Sequence, residues 1–376
     1  MEDQTKDEVS RRKFLRNATL GTVGAALLNT LPSNDATATS WRSDFDCNKL
    51  DVSRRHQIER EEVEEFFRTW YTAADNLDLG TFMASFSPNI LNQDAIIGDI
   101  SFNGFSVNGP NCGIEGETNV RAAFGQLFQF VRTPGRLFKF NYATGSLKYG
   151  ATVGFVDLPG TFYYSGVDLI GYHVIRDGKI VRRNDYYDTA QMTAADIARI
   201  HPNGMPRLSC VASTLPGDTS HASREMYEFT LAFHNALSSG DTDRVIRFFT
   251  DEAVLIHPLL HQGSGGYGLF NRGIQIRGRK ALALFFKAVL PVLPDGAQST
   301  ITHIIGGSTG GGYEWHSAGI YAQQGIGRNG ILGVTSISLF ENRIDRMSVK
   351  FDTVQMTSQQ RAVVRRALTG ECLVVQ

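Results

Sequence analysis

The chain repeats itself, and no other feature narrows its fold as far. Asp177–Thr193 reads DGKIVRRNDYYDTAQMT, and Glu341–Thr357 reads ENRIDRMSVKFDTVQMT. At a constant offset of 164, Ile180 falls on Ile344, Arg182 on Arg346, Tyr187 on Phe351, and Asp188-Thr189 on Asp352-Thr353. Further back, Phe66–Asp78 aligns with Phe229–Asp241 at offset 163, and Ile114-Glu115-Gly116-Glu117 aligns with Ile276-Arg277-Gly278-Arg279 at offset 162. Three anchors that drift by so little imply two homologous modules of about 140 residues each. In both late copies a polar pair, Asp177-Gly178 or Glu341-Asn342, separates two runs of β-formers, which is a hairpin signal.

Within module one, Val63, Phe66, Phe67, Trp70, Tyr71, Ala74 and Leu77 recur at three and four residues, predicting an amphipathic helix over about Gln57–Leu77. Asp78 and Gly80 open a short second helix through Phe82 and Phe86, which Pro88-Asn89 ends. Asn92–Phe105 reads as strand and loop, and Gly116 precedes a third helix over about Thr118–Val131. Strands follow at Phe138–Tyr142, Thr152–Val156, Gly160–Tyr164, Asp168–Arg176 and Ile180–Tyr187. Helices followed by a run of antiparallel strands make an α+β pattern. Residues 51–200 form module one, the Pro- and Gly-bearing stretch 201–221 a linker, and 222–368 module two, closed by a helix-like segment at Ser358–Leu368.

Residues 1–38 carry the parts of an export signal: Arg11-Arg12-Lys13-Phe14-Leu15, a weakly apolar run from Ala18 to Leu31, then Ala36-Thr37-Ala38. The paired arginines resemble the twin-arginine signal, so the expectation is an exported protein, periplasmic or extracellular, without stable membrane insertion. A formal net charge of −1 gives nucleic-acid binding no electrostatic footprint. Cys47, Cys112, Cys210 and Cys372 fit either disulfides or free thiols, and three pairings are open.

The modules resemble the nuclear transport factor 2-like superfamily, and its SnoaL-like members in particular. In module one the resemblance rests on Trp70-x3-Ala74-Asp75-x2-Asp78, Gly160-Thr161, Asp177-Gly178-Lys179-Ile180 and Tyr187-Asp188. In module two it rests on Asp251-Glu252-Ala253-Val254, His257-Pro258, Arg277-Gly278-Arg279-Lys280-Ala281 and Ile344. It implies two tandem cones, each a curved antiparallel sheet wrapped around about three helices with an apolar pocket. Its members include isomerases, dehydratases, cyclases, epoxide hydrolases and non-catalytic binders, so function rests on the site.

Catalytic members usually work without a cofactor, using one or two ionisable groups whose pKa burial has moved towards working pH. Asp75 stands on the rim of the apolar face of the first helix. Dehydratase-like relatives place an active-site acid at the matching position, and the alternative for Asp75 is a capping role before Asn76. Tyr71 is an oxyanion donor or a core aromatic, and Trp70 lies at the centre of the same face as a wall for substrate. Asp94 follows the second helix, where such proteins place a pocket acid. His173 alternates with Tyr172 on a strand, so one of the two points inward. Asp188 serves substrate or, since it recurs as Asp352, a shared structural bond. In module two His234 replaces Tyr71, Ser238 replaces Asp75 and His257 replaces Asp94, so His234 and His257 form a base/acid pair or line a binding pocket.

Zinc ligation by His257-x3-His261 needs a continuous helix that Pro258 and the glycines after it oppose, so no metal is expected. The run Gly306–Gly312 lacks the phosphate-loop pattern and reads as a strand connection, and no G-x-S-x-G elbow occurs. The expectation is a cofactor-independent lyase or isomerase acting on an apolar, oxygenated or cyclic small molecule, or an epoxide hydrolase-like variant of it. The competing expectation is a non-catalytic binding or assembly module. Face-to-face sheet packing leaves a homo-oligomer open.

Overall fold

Apolar residues at helical spacing build α1, Arg54–Asp75, whose Val63, Phe67, Trp70 and Ala74 are buried. In the computed structural model the described residues are 54–94, 113–131, 137–158, 166–196, 220–260, 275–290, 293, 299–317, 331–353 and 356. The export signal, the four cysteines, Gly160–Tyr164, most of the linker and the expected closing helix lie outside them. Asp78 caps the short α2, Leu79–Met83, by accepting from the Thr81 amide at 3.0 Å. Gly116, at φ 81°, leads into α3, Glu117–Val131.

One sequence expectation fails here. Phe86 does not extend the second helix, and Pro88-Asn89 does not end it, because all three lie in strand β1, Phe86–Asp94. Pro88 has no N–H to give a sheet ladder. Its place is inside a register shift, between Phe86 and Leu91, where β1 departs from regular pairing with its neighbour.

The remaining strands of the first half are β2, Gly113–Glu115; β3, Phe138–Ser146; β4, Gly150–Asp157; β5, Val167–Arg176; and β6, Lys179–Tyr187. They join β1 in a curved sheet of order β2-β1-β6-β5-β4-β3. The second half has α4, Arg224–Ser238; α5, Thr242–Ile246; β8, Phe249–Ile256; β9, Ile276–Arg277; α6, Arg279–Val289; and β10 to β13 at Ser299–Gly307, Gly310–Ser317, Ile331–Phe340 and Arg343–Phe351. Its order, β9-β8-β13-β12-β11-β10, matches the first sheet. It then adds β7, Ser220–Ala222, which pairs parallel to β10. The linker expected to reach 221 therefore ends in a strand. Both predicted hairpins are present. Asp177 and Gly178 at φ 51° and 69°, and Glu341 and Asn342 at 47° and 62°, take the left-handed conformations of a tight two-residue turn.

Cys47–Gln376 make one compact unit that holds both sheets. The outer face of each sheet packs on that of the other. Thr152 bonds the Gly311 carbonyl at 3.0 Å and the Ser336 hydroxyl at 2.6 Å, and Thr144 bonds the Thr309 carbonyl at 3.1 Å. The glycine run explains how the sheets come so near. A Cβ on Gly312 would meet the Thr152 methyl at 2.6 Å, and one on Gly310 would meet the Thr144 hydroxyl at 2.6 Å. A reciprocal clasp closes one end: Asp188 accepts from the Thr353 amide at 3.0 Å and hydroxyl at 2.9 Å, and Asp352 accepts from the Thr189 amide at 3.2 Å and hydroxyl at 2.7 Å.

Candidate active site

Strand alternation sorts β6 into two faces. Arg182, Asn184 and Tyr186 point into the contact with the second half, whereas Arg183 and Asp185 point inward towards α1 and α3. Register places inner-face neighbours beside them: Arg183 is paired with Asn92 on β1 and His173 on β5, and Asp185 with Gly171. Arg183 donates to Asn92 Oδ1 at 3.0 Å and forms a short ion pair with Asp185 Oδ2. Its guanidinium lies 5.7 Å from the ring centroids of both Trp70 and Phe124, so π faces accompany the charge as well.

Tyr71 and His173 face the same interior. His173 is fully buried between Phe67, at 4.7 Å, and Trp70, at 5.4 Å. Gly171 makes space for the imidazole, since a Cβ there would meet its Cε1 at 2.5 Å. Burial, reinforced by the charge of Arg183, holds the His173 pKa well below 6.5, so the ring is neutral. Burial pushes the Tyr71 phenol well above its ordinary value, with Arg183 pulling the other way. Burial also raises the Asp185 carboxyl, while the charge and hydrogen bond of Arg183 oppose that rise.

The polar inventory on this face does not close. Tyr71 Oη, both ring nitrogens of His173, Arg183 Nε and Asp185 Oδ1 are all buried, and none closes a hydrogen bond of good geometry among the described residues, although Tyr71 lies near enough to Arg183, and His173 to the Gly171 and Ala151 backbone, for weak ones. Buried polar atoms ordinarily find partners, so unsatisfied ones gathered on one face mark a place built for water or a ligand. A raised carboxyl, a neutral imidazole and a phenol that keeps its proton can take up a proton, accept a hydrogen bond and donate one.

Among the residues expected from sequence, the structure brings together Tyr71 and His173, with Trp70 stacked on Phe82 behind them. Trp70 is itself a core residue whose indole donates to the Phe82 carbonyl at 3.0 Å. Asp75 is elsewhere. Its Oδ1 accepts from the amides of Leu137 and Phe138 at 2.8 and 3.1 Å, so it ties the start of β3 to the end of α1. Asp94 is opposite Asp185 in backbone register. Asp188 is in the clasp between the halves, not in this interior.

At the matching register positions the second half has no such group. Its register puts Leu255, Ile337, Met347 and Val349 where the first half has Asn92, His173, Arg183 and Asp185. His234 bonds the Ser299 carbonyl at 3.1 Å and packs near Tyr313; His257 accepts from the Leu259 amide at 3.2 Å and packs against Phe285 and Phe351. Among the described residues no group of three or more His, Cys, Asp or Glu could hold a metal ion.

Sequence reasoning missed Arg183, Asp185 and Asn92. The signal lay inside the repeat anchor itself: at offset 164, Arg183 meets Met347 and Asp185 meets Val349. A charged residue facing an apolar one in otherwise matching copies is the difference that could have drawn attention to them.

No protein-family model matches the chain, and no curated protein matches it. Among solved structures, a protein from Kribbella flavida DSM 17836 is 18% identical, covering 37% of this chain and 96% of its own at a TM-score of 0.28. A SnoaL-like protein of unknown function from Burkholderia thailandensis E264 is 13% identical, covering 35% and 97% at 0.28. An NTF2-like protein of unknown function from Mesorhizobium loti is 13% identical, covering 36% and 98% at 0.27. Such values transfer no activity to this chain.

Proposed function

We propose that the first half is a lyase- or isomerase-type catalyst that works by side-chain acid/base chemistry on a neutral, largely apolar, oxygen-bearing small molecule. The observation that carries this reading is the convergence of the unsatisfied polar atoms of Tyr71, His173, Arg183 and Asp185 on one buried face. Asp185 is the proton-transfer group. In its ionised form it takes a proton from a carbon next to an oxygen-bearing centre; in its protonated form it gives one to a leaving oxygen. Tyr71 keeps its proton and donates a hydrogen bond to the oxygen on which charge develops. Arg183 offsets the charge of Asp185 without leaving a net charge on the site, which suits an uncharged substrate. The aromatic wall of Phe67, Trp70 and Phe124 suits its apolar body. On this reading the chain is exported through its twin-arginine signal and works outside the cytoplasm.

The reading is tested without knowing the substrate by the base-catalysed ring opening of a nitrobenzisoxazole, which reports a general base in an apolar site. The full chain should accelerate it, and Asp185→Asn should lower the rate by about 100-fold or more while the far-UV spectrum is kept. An unchanged rate in that variant refutes the assignment.

One observation favours a second reading. Asp94 and Asp185 share a register position on parallel neighbouring strands, so two acidic residues stand at one level of the sheet. Paired acids suit water activation, as in an epoxide hydrolase-like reaction. Uptake of labelled solvent oxygen into a ring-opened epoxide, lost in Asp94→Asn, would support it; no uptake would reject it.

A further inference from the structure

At the matching positions the second half lacks the polar group of the first, yet it supplies a residue that reaches the strand carrying it. Glu314, on β11, is buried. It accepts from Arg182 Nη1 at 2.7 Å on one oxygen, and from Arg182 Nη2 at 2.7 Å, Asn184 Nδ2 at 2.9 Å and Tyr186 Oη at 2.7 Å on the other. Arg182 Nε is held in turn by Gln93 Oε1 at 2.7 Å, and Gln93 adjoins Asn92 on β1. The three donors are alternate residues of β6, and the two residues between them are Arg183 and Asp185.

We propose that Glu314 is a positioning residue: from the second half it grips the outer face of β6 and so fixes where Arg183 and Asp185 stand on the inner face. The inference rests on the reading of Asp185 given above.

Three physical arguments support it. First, fixing three alternate residues of a strand leaves the residues between them no freedom to slide, and proton-transfer groups lose efficiency when displaced by about half an ångström. Second, a buried ion pair contributes little net stability compared with a well-packed apolar contact, so a buried, bidentate Arg–Glu pair between two sheets is better explained by the geometry it imposes. Third, the grip runs one way. Sheet register places Gly154 in the first half where Glu314 stands in the second, and Arg346 where Arg182 stands. Gly154 has no side chain to return the grip, and Arg346 meets the face of Tyr142 at 4.5 Å instead. The carboxylate is present only over the strand with the ionisable pair. On this account the second half is a permanent brace for the first.

The experiment follows the side-chain carboxyl of Asp185 by carbon NMR in the full chain, with Asp185→Asn identifying its signal. The charged and titratable groups facing that carboxyl are Arg183 on its own strand, Tyr71 on α1 and His173 on β5, and the backbone register pairs Asp185 with Asp94 on β1. Tyr186→Phe removes one donor to Glu314 without changing charge, and Glu314→Gln removes the charge. Thr152→Val cuts hydrogen bonds of the same interface on β4, away from β6. The expected result is that Tyr186→Phe displaces the Asp185 midpoint by about 0.5 pH unit or more, and Glu314→Gln by more where it folds, whereas Thr152→Val lowers the melting temperature and leaves the midpoint in place. A midpoint unmoved in Tyr186→Phe overturns the proposal, as does an equal displacement in Thr152→Val. If Asp185→Asn removes no signal with a raised midpoint, the reading of Asp185 fails instead, so the two failures are told apart.

Discussion

Acid should loosen the junction between the halves, and His303 sets how steeply. His303 is buried in the interface, with Nδ1 against the Tyr172 hydroxyl at 2.8 Å and Nε2 against His221 Nδ1 at 3.1 Å. Arg176 can only donate, and it donates to His221 Nε2 at 2.8 Å. His221 therefore carries its proton on Nδ1 and gives it to His303 Nε2, which leaves His303 neutral and donating from Nδ1 to Tyr172. Burial first, then the charge of Arg182, lowers the His303 pKa from 6.5 to about 2. The unfolded chain binds a proton near 6.5 that the folded chain refuses, so stability conferred by the neutral ring is complete above 6.5 and is lost as pH falls below it. Going from about pH 7 to about pH 5 removes about 2 kcal/mol through this residue, with a limiting slope of about 1.4 kcal/mol per pH unit. Burial also raises the carboxyls of Asp185 and Asp188, which act in the opposite sense, so the comparison must be between wild type and His303→Asn. Urea unfolding of both full chains, followed by circular dichroism across that range, measures it. The variant starts less stable but should lose about 2 kcal/mol less on acidification. Parallel losses in the two proteins would refute the assignment of a neutral buried histidine at this junction.

Three further outcomes follow from the same geometry. Asp75→Ala should cost about 1–3 kcal/mol in urea unfolding, because the amides of Leu137 and Phe138 lose their acceptor; nitrobenzisoxazole turnover per folded molecule should be unchanged, and its selective loss would return Asp75 to the site. Asp188→Ala strands the amides of Ala190 and Thr353 and the Thr353 hydroxyl, so it should destabilise by about 3 kcal/mol or more, with strong coupling to Thr353→Val in a double-mutant cycle; additive effects would argue against the clasp. The rate of the probe reaction should rise with pH through a midpoint above 3.8, because only ionised Asp185 accepts a proton and burial raises its pKa; a profile flat through the acid range would exclude it.

The repeat, the helix faces and the turns were legible in the sequence because each depends on local rules. A three-and-four spacing buries one side of a helix wherever that helix sits, and a left-handed polar pair reverses a chain in either copy. Tyr71 and His173 could be suspected for the same reason, as polar groups placed on faces that periodicity makes apolar. Helix termination at Pro88-Asn89 was misread because a proline stops a helix and also fits an irregular point in a strand, and only pairing with β6 selects between them.

What the chain by itself determined is thus the repeated order of elements and which residues each must bury. Tertiary structure decided the site. Asp75 and Asp185 are both acids within four positions of a tyrosine in sequence, and what separates them is the company that folding brings: two backbone amides for the first, and Arg183 within a buried interior for the second. Glu314 is 132 positions from Arg182, and no local rule relates them. The free energy of a buried charge is set by the groups around it in space, and for these residues those groups come from distant parts of the chain.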